Sequence, residues 1–417
     1  MATGYYEPRL VDKTLDALMP QLPAIVLSGP RGCGKTTTAL QRAESVLRLD
    51  RRETAEDFRE SPDATLADHD GPLLIDGWQL MPESVDAVRR TVCPDCGGGQ
   101  FLITGDADAS LTVQDADDAA VIAPLAMWGL TQGEIERSNG MDSGLTRLFG
   151  AVDPTPGMML DAPLLTDYVE MALQGGFPYA STLPEEARAA WYDDYVDHLV
   201  HQDAGELATV LAPDALSRLL RALAINTAAE PTRTGLAAAT GVDQRTVRAY
   251  LAVLKELCVI DSMPAWGVDR FPRMVKTKKF YLTDTGLAAH LVGDTRAELM
   301  TDSDQLNRLI DTFVAAQLRP LLHLFGIDAT AHHLRDRNDC RKIDMVLESS
   351  THAIAGVQIT AARTASDRDV RHLAWLRDQV GDDFVRGVVL HTGAEVTQLD
   401  DKLWAMPIAA LWRRPAR

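Results

Sequence analysis

Apolar residues in this chain fall into short runs that stop at small or polar residues. Residues 24–28 (AIVLS) form the first, and a glycine-rich turn follows at once; residues 72–76 (PLLID) and 101–104 (FLIT) repeat the pattern. Continuous apolar runs of this length read as strands buried on both faces. Residues 37–49 place Leu40, Ala43, Val46 and Leu47 at helical spacing, so a helix is expected there. Strand, loop and helix alternate, which predicts a parallel sheet covered by helices. From about residue 160 the pattern turns helical, at 168–173, 186–199 and 215–224, with Gly175, Gly176 and Pro178 breaking the first pair. A long helix at 306–324 then leads to strand-like runs at 342–348, 353–360 and 386–391. The expected organisation is α/β throughout, with regions at 1–158, 159–295 and 296–417.

Composition narrows the picture. A chain of 417 residues exceeds one ordinary core, and 46% hydrophobic with 24% charged residues is a globular balance. The formal net charge of -19 argues against nonspecific coating of nucleic acid by the whole surface, yet leaves room for a local basic module. The start lacks a basic segment followed by an apolar core, and no apolar stretch reaches about 18 residues, so neither a secretory signal nor a spanning helix is expected. Five cysteines, one inside the glycine-rich turn, favour a reducing compartment, and the cytoplasm is the expected location. The single Cys93-x-x-Cys96 pair falls short of the four ligands of structural zinc.

The chemistry starts at Gly29-Pro30-Arg31-Gly32-Cys33-Gly34-Lys35-Thr36, which fits G-x-x-x-x-G-K-[ST] with a strand before it and a helix after it. Glycines at these places let backbone N–H groups turn inward towards phosphate oxygens. Lys35 is expected to reach the β- and γ-phosphates, Thr36 to ligate Mg²⁺, and Thr37 to extend the nucleotide-binding stretch. A second acid on Mg²⁺ is needed at the end of a neighbouring strand, and Asp76 at the end of PLLID is the candidate. The next residue is Gly77, which offers no carboxylate to orient water. Glu83 is a candidate substitute, although the start of a surface helix is its plainer reading. Gln79 is a candidate polar contact to the γ-phosphate region, equally readable as a helix start. Thr104 and Asp106, closing the third run, are candidate γ-phosphate sensors, although an aspartate there needs a cation to offset it.

Residues 234–260 (TGLAAATGVDQRTVRAYLAVLKELCVI) have a helix-turn-helix rhythm, with Gly241 at the turn and Val247, Tyr250, Leu251 and Leu254 facing inward. Between residues 232 and 280, nine Lys/Arg stand against four Asp/Glu, a local +5. Arg245 and Arg248 are placed at the start of the second helix, and Arg273, Lys276, Lys278 and Lys279 in a following wing. The same face reads equally as a DNA-binding or a protein-binding surface.

The ordered set GPRGCGKTTTA, LLIDGWQL, FLITGDADASL, WGLTQGE, ALQGGFP, KFYLTDTGLAAHL and RDRNDCRKIDMVLE resembles a large group of uncharacterised bacterial and archaeal AAA-type ATPases with a C-terminal domain of unknown function. That resemblance implies a P-loop sheet, a winged-helix-like region and a restriction-endonuclease-like C-terminal domain. It also implies ATP rather than GTP, in keeping with the lack of an N-K-x-D motif. The family reads Asp-Glu where this chain has Asp76-Gly77, a serine where Asp106 stands, and arginines where this chain has IAPLAMWGL. In the endonuclease-like part Asp344 holds the first acidic position, Gln358 and Thr360 replace the E-x-K pair, Asp311 is a further acid on the preceding helix, and Gln317 replaces another. The expectation is an ATP-binding protein with slow Mg²⁺-dependent hydrolysis that controls its C-terminal domains, and no nuclease. The alternative is a nucleotide-gated regulatory or DNA-binding protein with little turnover. Self-association is an open expectation.

Overall fold

The computed structural model describes residues 6–67, 69, 71–92, 97–107, 122–138, 146–149, 153–207, 212–267, 274–324, 329–337 and 341–413. Helix α1 (Leu10–Leu18) precedes strand β1 (Ala24–Ser28), whose five residues are all buried. There follow α2 (Lys35–Ala39), β2 (Ser45–Arg48), α3 (Arg52–Glu60), α4 (Pro62–Ala67), β3 (Leu73–Asp76), α5 (Glu83–Thr91), β4 (Phe101–Gly105), β5 (Ile122–Ala126) and α6 (Gln132–Ile135). The strands form one parallel sheet in the order β2-β3-β4-β1-β5.

Two local expectations are corrected. The helix expected over 37–49 ends at Ala39, and residues 45–48 form β2. Three consecutive threonines propagate a helix poorly. Parallel pairing of Val46 and Leu47 with Leu74 and Ile75 gives this backbone its hydrogen bonds instead, at the cost of leaving Val46 40% exposed on the sheet edge. The strand ending in Asp76 is also not beside β1, because β4 lies between them.

The middle of the chain is helical: α7 (Leu165–Gln174), α8 (Glu185–His198), a π turn (Leu199–Asp203), α9 (Pro213–Ile225), α10 (Arg233–Thr240) and α11 (Gln244–Glu256). Gly241, at φ 72°, stops α10, and Asp243 caps α11 by accepting from the Arg245 and Thr246 amides. A hairpin of β6 (Ile260–Met263) and β7 (Lys279–Leu282) leads to α12 (Thr285–Val292). The 22-residue α13 (Ser303–Leu324) follows.

Strands β8 (Ala329–Arg335), β9 (Lys342–Ser349) and β10 (Ile354–Ile359), helix α14 (Asp367–Val380), and strands β11 (Phe384–His391), β12 (Thr397–Asp400) and β13 (Leu403–Pro407) complete the fold. They make a mixed sheet in the order β12-β13-β11-β10-β9-β8. The two ends of the β6–β7 connection dock on its β8 edge: the Trp266 and Val275 amides donate to the carbonyls of His333 and Arg335 at 2.7 and 2.8 Å. An exposed edge is thereby covered. One core runs across regions, with Tyr168 of α7, Phe313 of α13 and Trp412 meeting edge to face. Among the described residues no helix is long and apolar enough to cross a membrane.

Candidate functional site

The loop after β1 is built around three glycines. Gly32 and Gly34 have φ of 77° and 103°, a region costly for residues bearing a Cβ. At Gly29 a Cβ would lie 2.0 Å from the Met127 carbonyl oxygen, so the chain leaving β5 requires glycine there. Arg9, 8% exposed, braces the loop from outside: Nη1 donates to the Cys33 carbonyl, Nη2 to the Trp128 carbonyl (both 2.7 Å), and Nε to Glu134. Neither Arg9 nor Glu134 was marked by the motif. Their only sequence signal is the T-x-x-E capping box at Thr131, in which Glu134 reaches back to the Thr131 amide.

Lys35 is folded into this loop and 5% exposed. Its Nζ donates to the Gly29 and Pro30 carbonyls at 2.8 and 2.9 Å and pairs with Asp106 Oδ1 at 2.8 Å. Burial opposes the charge, but the Cys33 sulfur and the Asp106 carboxylate favour it more, and the net shift of Lys35 is upward. The Asp106 amide donates to Gln79 Oε1 at 3.3 Å, which places Gln79 beside the pair.

Asp76 Oδ1 accepts from the Thr36 hydroxyl at 2.8 Å and from the Thr104 hydroxyl at 2.7 Å. The two predicted metal-site residues thus touch directly, and Thr104 of the intervening β4 gives Asp76 a second donor. Gly77 stands at φ 91°, and Glu83 is exposed at the first position of α5. Thr37 is exposed on α2.

The helical region reaches the same loop. Arg31 pairs with Asp203 of the π turn at 3.0 Å, and His198 lies 3.3 Å from the same carboxylate. Burial raises the Asp203 pKa against the pull of Arg31 and His198. A Cβ at Gly32 would touch the Trp191 ring at 3.6 Å, and that ring stacks on Tyr195 at 5.3 Å.

The basic segment divides. Arg245, Arg248, Lys276 and Lys278 are exposed, and the last three line a groove of about 610 Å³ with Arg233, which sequence reading did not single out. Lys279 is a correction. It is fully buried, 2.6 Å from Asp311, and unavailable to any partner, because alternation along β7 turns it inward beside Tyr281. Arg273, Cys93, Cys96 and Cys340 lie outside the described residues. Asp311, Asp344, Gln358 and Thr360 line one cavity. Gln317 does not join them, since its Oε1 accepts from the Gln132 amide at 2.7 Å.

Comparison with known proteins gives two family matches, both partial. Residues 165–298 match a domain of unknown function (DUF8612), and residues 306–411 match another (DUF4143). Uncharacterised proteins of Mycobacterium bovis and Mycobacterium tuberculosis are each 26% identical over 310 residues, 72% of this chain and 63% of theirs. The chain thus spans under two thirds of the length of these curated relatives. Similar solved structures include a Walker-type ATPase of Pyrococcus abyssi (12% identity, 67% of this chain and 94% of that one, TM-score 0.39). AMPPCP-bound DnaA of Aquifex aeolicus is similar at 12% identity (59% and 86% covered, TM-score 0.26). At such scores these likenesses carry no weight beside the strand order and loop geometry.

Proposed function

We propose that this protein binds ATP with Mg²⁺ in the loop of residues 29–36 and turns it over slowly. The observation that carries this reading is the convergence of Lys35, Thr36, Asp76 and Thr104 at the carboxyl end of one parallel sheet. Brought together there are a buried ammonium, a hydroxyl and a carboxylate, the donor set that a triphosphate and a hard cation require. Thr36 and Asp76 would hold Mg²⁺, which supplies charge neutralisation between phosphate oxygens.

Before Lys35 can serve a phosphate, its ammonium must leave Asp106. The aspartate acts as an internal anion that keeps the buried lysine paired while no phosphate is present. Gly77 offers no side chain to orient water, which supports slow turnover. Arg31 and Trp191 connect the loop to the helical region, so that nucleotide state is transmitted to residues 159–295 and then to 296–417, read here as winged-helix-like and restriction-endonuclease-like units. Inactivity of the last unit as a nuclease is supported by Gln358 and Thr360 and by the lysines that pair its carboxylates. The test is calorimetric titration with ATP and a slowly hydrolysed analogue, together with phosphate release. Magnesium-dependent binding lost in Lys35→Ala is expected; equal binding by the variant would refute the site.

A second reading, DNA contact, is favoured by one observation. Arg233, Arg248, Lys276 and Lys278 line the same groove over Leu236, Leu251 and Phe280, with no carboxylate among the described lining residues. Duplex binding that weakens steeply with salt, and weakens further in Arg248→Ala/Lys276→Ala, is expected; no binding at low salt removes it.

A further inference from the structure

A cavity of about 470 Å³ opens among residues 228–230, helices α13 and α14 and the β8–β10 side of the C-terminal sheet, on elements separate from the phosphate loop. Its deep charges are already satisfied. Lys279 Nζ lies 2.6 Å from Asp311 Oδ2 and 3.8 Å from Asp344 Oδ1, and Lys342 Nζ lies 2.9 Å from Asp344 Oδ1. The Tyr281 hydroxyl donates to Asp311 and the Ile359 amide to Asp344. A lysine ammonium from β7 thus supplies the charge that two neighbouring buried carboxylates otherwise draw from a divalent cation. Among the described residues no cluster of three or more His, Cys, Asp or Glu suits a metal.

The outer charges differ. Glu230 is held by Arg335 at 2.6 Å, and Asp369 is used in capping α14 through Ser366 at 2.6 Å. Arg308 and Arg368 line the cavity with no side-chain hydrogen bond or ion pair among the described residues. Lys342, at 39% side-chain exposure, faces the same space. Asp304, one turn before Arg308 on α13, is an exposed carboxylate suited to accept hydrogen bonds from hydroxyl groups.

We propose that this cavity binds a phosphate monoester of nucleotide or sugar-phosphate size without a divalent metal, the phosphate lying between Arg308 and Arg368 with Lys342 as third cation. Two planar guanidinium forks and an ammonium match the charge and oxygen geometry of a phosphate dianion. The volume is that of a small-molecule pocket. The inference does not rest on the phosphate-loop reading.

The test uses the full-length Lys35→Ala protein in excess EDTA, titrated calorimetrically with AMP, ribose 5-phosphate and inorganic phosphate. At least one ester is expected to bind, with inorganic phosphate about tenfold weaker for want of the remaining contacts. AMP alone identifies a nucleotide, and both esters together a sugar phosphate. Arg308→Ala and Arg368→Ala, each at a side chain with no hydrogen bond or ion pair among the described residues, are expected to weaken the ester by about tenfold or more. Failure of both esters to bind overturns the proposal, as does unchanged affinity in both variants or binding only after Mg²⁺ is restored. A 5′-phosphorylated oligonucleotide that binds more tightly than either ester overturns the small-ligand assignment.

Discussion

Lys35 and Asp106 form a pair that neither half explains alone. A buried ammonium without a partner is costly, and an aspartate beside a bound phosphate would repel it; paired, the two charges cancel. Asp106→Asn removes the competing anion and keeps the shape. ATP affinity is expected to rise by about tenfold, measured by calorimetry, because one full charge is deleted next to the phosphates. Unchanged affinity would mean that the pair does not gate the loop. Gly77 invites replacement by the glutamate that the family resemblance implies at this position. At φ 91° that change imposes left-handed strain, and a loss of about 1–2 kcal/mol in urea unfolding is expected instead of faster phosphate release.

At the scale of elements, strand β8 joins the β6–β7 connection to the C-terminal sheet, and His333 is its polar anchor, with Nε2 2.8 Å from the Thr277 carbonyl. Burial pushes His333 down from 6.5 to about 4, and His391 on β11 likewise to about 4. Between those values the unfolded chain binds protons that the folded chain refuses. Stability is therefore full above pH 6.5 and falls as pH drops towards 4, by about 1.4 kcal/mol per pH unit for each histidine in the middle of that range. His333→Gln, which keeps a donor near Nε2, and His391→Asn, which keeps the acceptor for the Gly393 amide, should each flatten that decline in chemical denaturation series. A pH profile that matches wild type in both variants would place the acid sensitivity elsewhere.

Across the whole molecule, the loop meets the helical region where Arg31 pairs with Asp203 and where the Trp191 ring lies beside Gly32. Any rearrangement of the loop changes the surroundings of an indole that stacks on Tyr195. ATP is expected to alter tryptophan fluorescence in wild type, with most of the change lost in Trp191→Phe. Persistence of the full change in that variant would show that α8 does not sense the loop. Further out, β7 carries Lys279 between Asp311 of α13 and Asp344 of β9. The β6–β7 unit is thus fastened to α13 by a buried ion pair at 2.6 Å and faces the C-terminal sheet at Asp344, 3.8 Å away. Removal of one partner from such a pair leaves a buried uncompensated charge, so breaking this junction is costly.

The sequence by itself determined what depends on neighbours along the chain. The phosphate loop was legible because its glycines, lysine and threonine lie within eight residues, between an apolar run and a helix start. Most helices and strands were legible from periodicity, and Gly241 from its place after an apolar face. Tertiary structure decided what depends on distant partners. It made residues 45–48 a strand by pairing them with β3, inserted β4 between the loop and Asp76, and set Asp106 against Lys35. It also turned Lys279 inward, since a lysine in a basic run and a lysine buried between two aspartates read identically until β7 is paired and α13 packs over it. Local steric and hydrogen-bond preferences act within a few residues, whereas charge compensation and sheet register are settled only when remote segments share one interior.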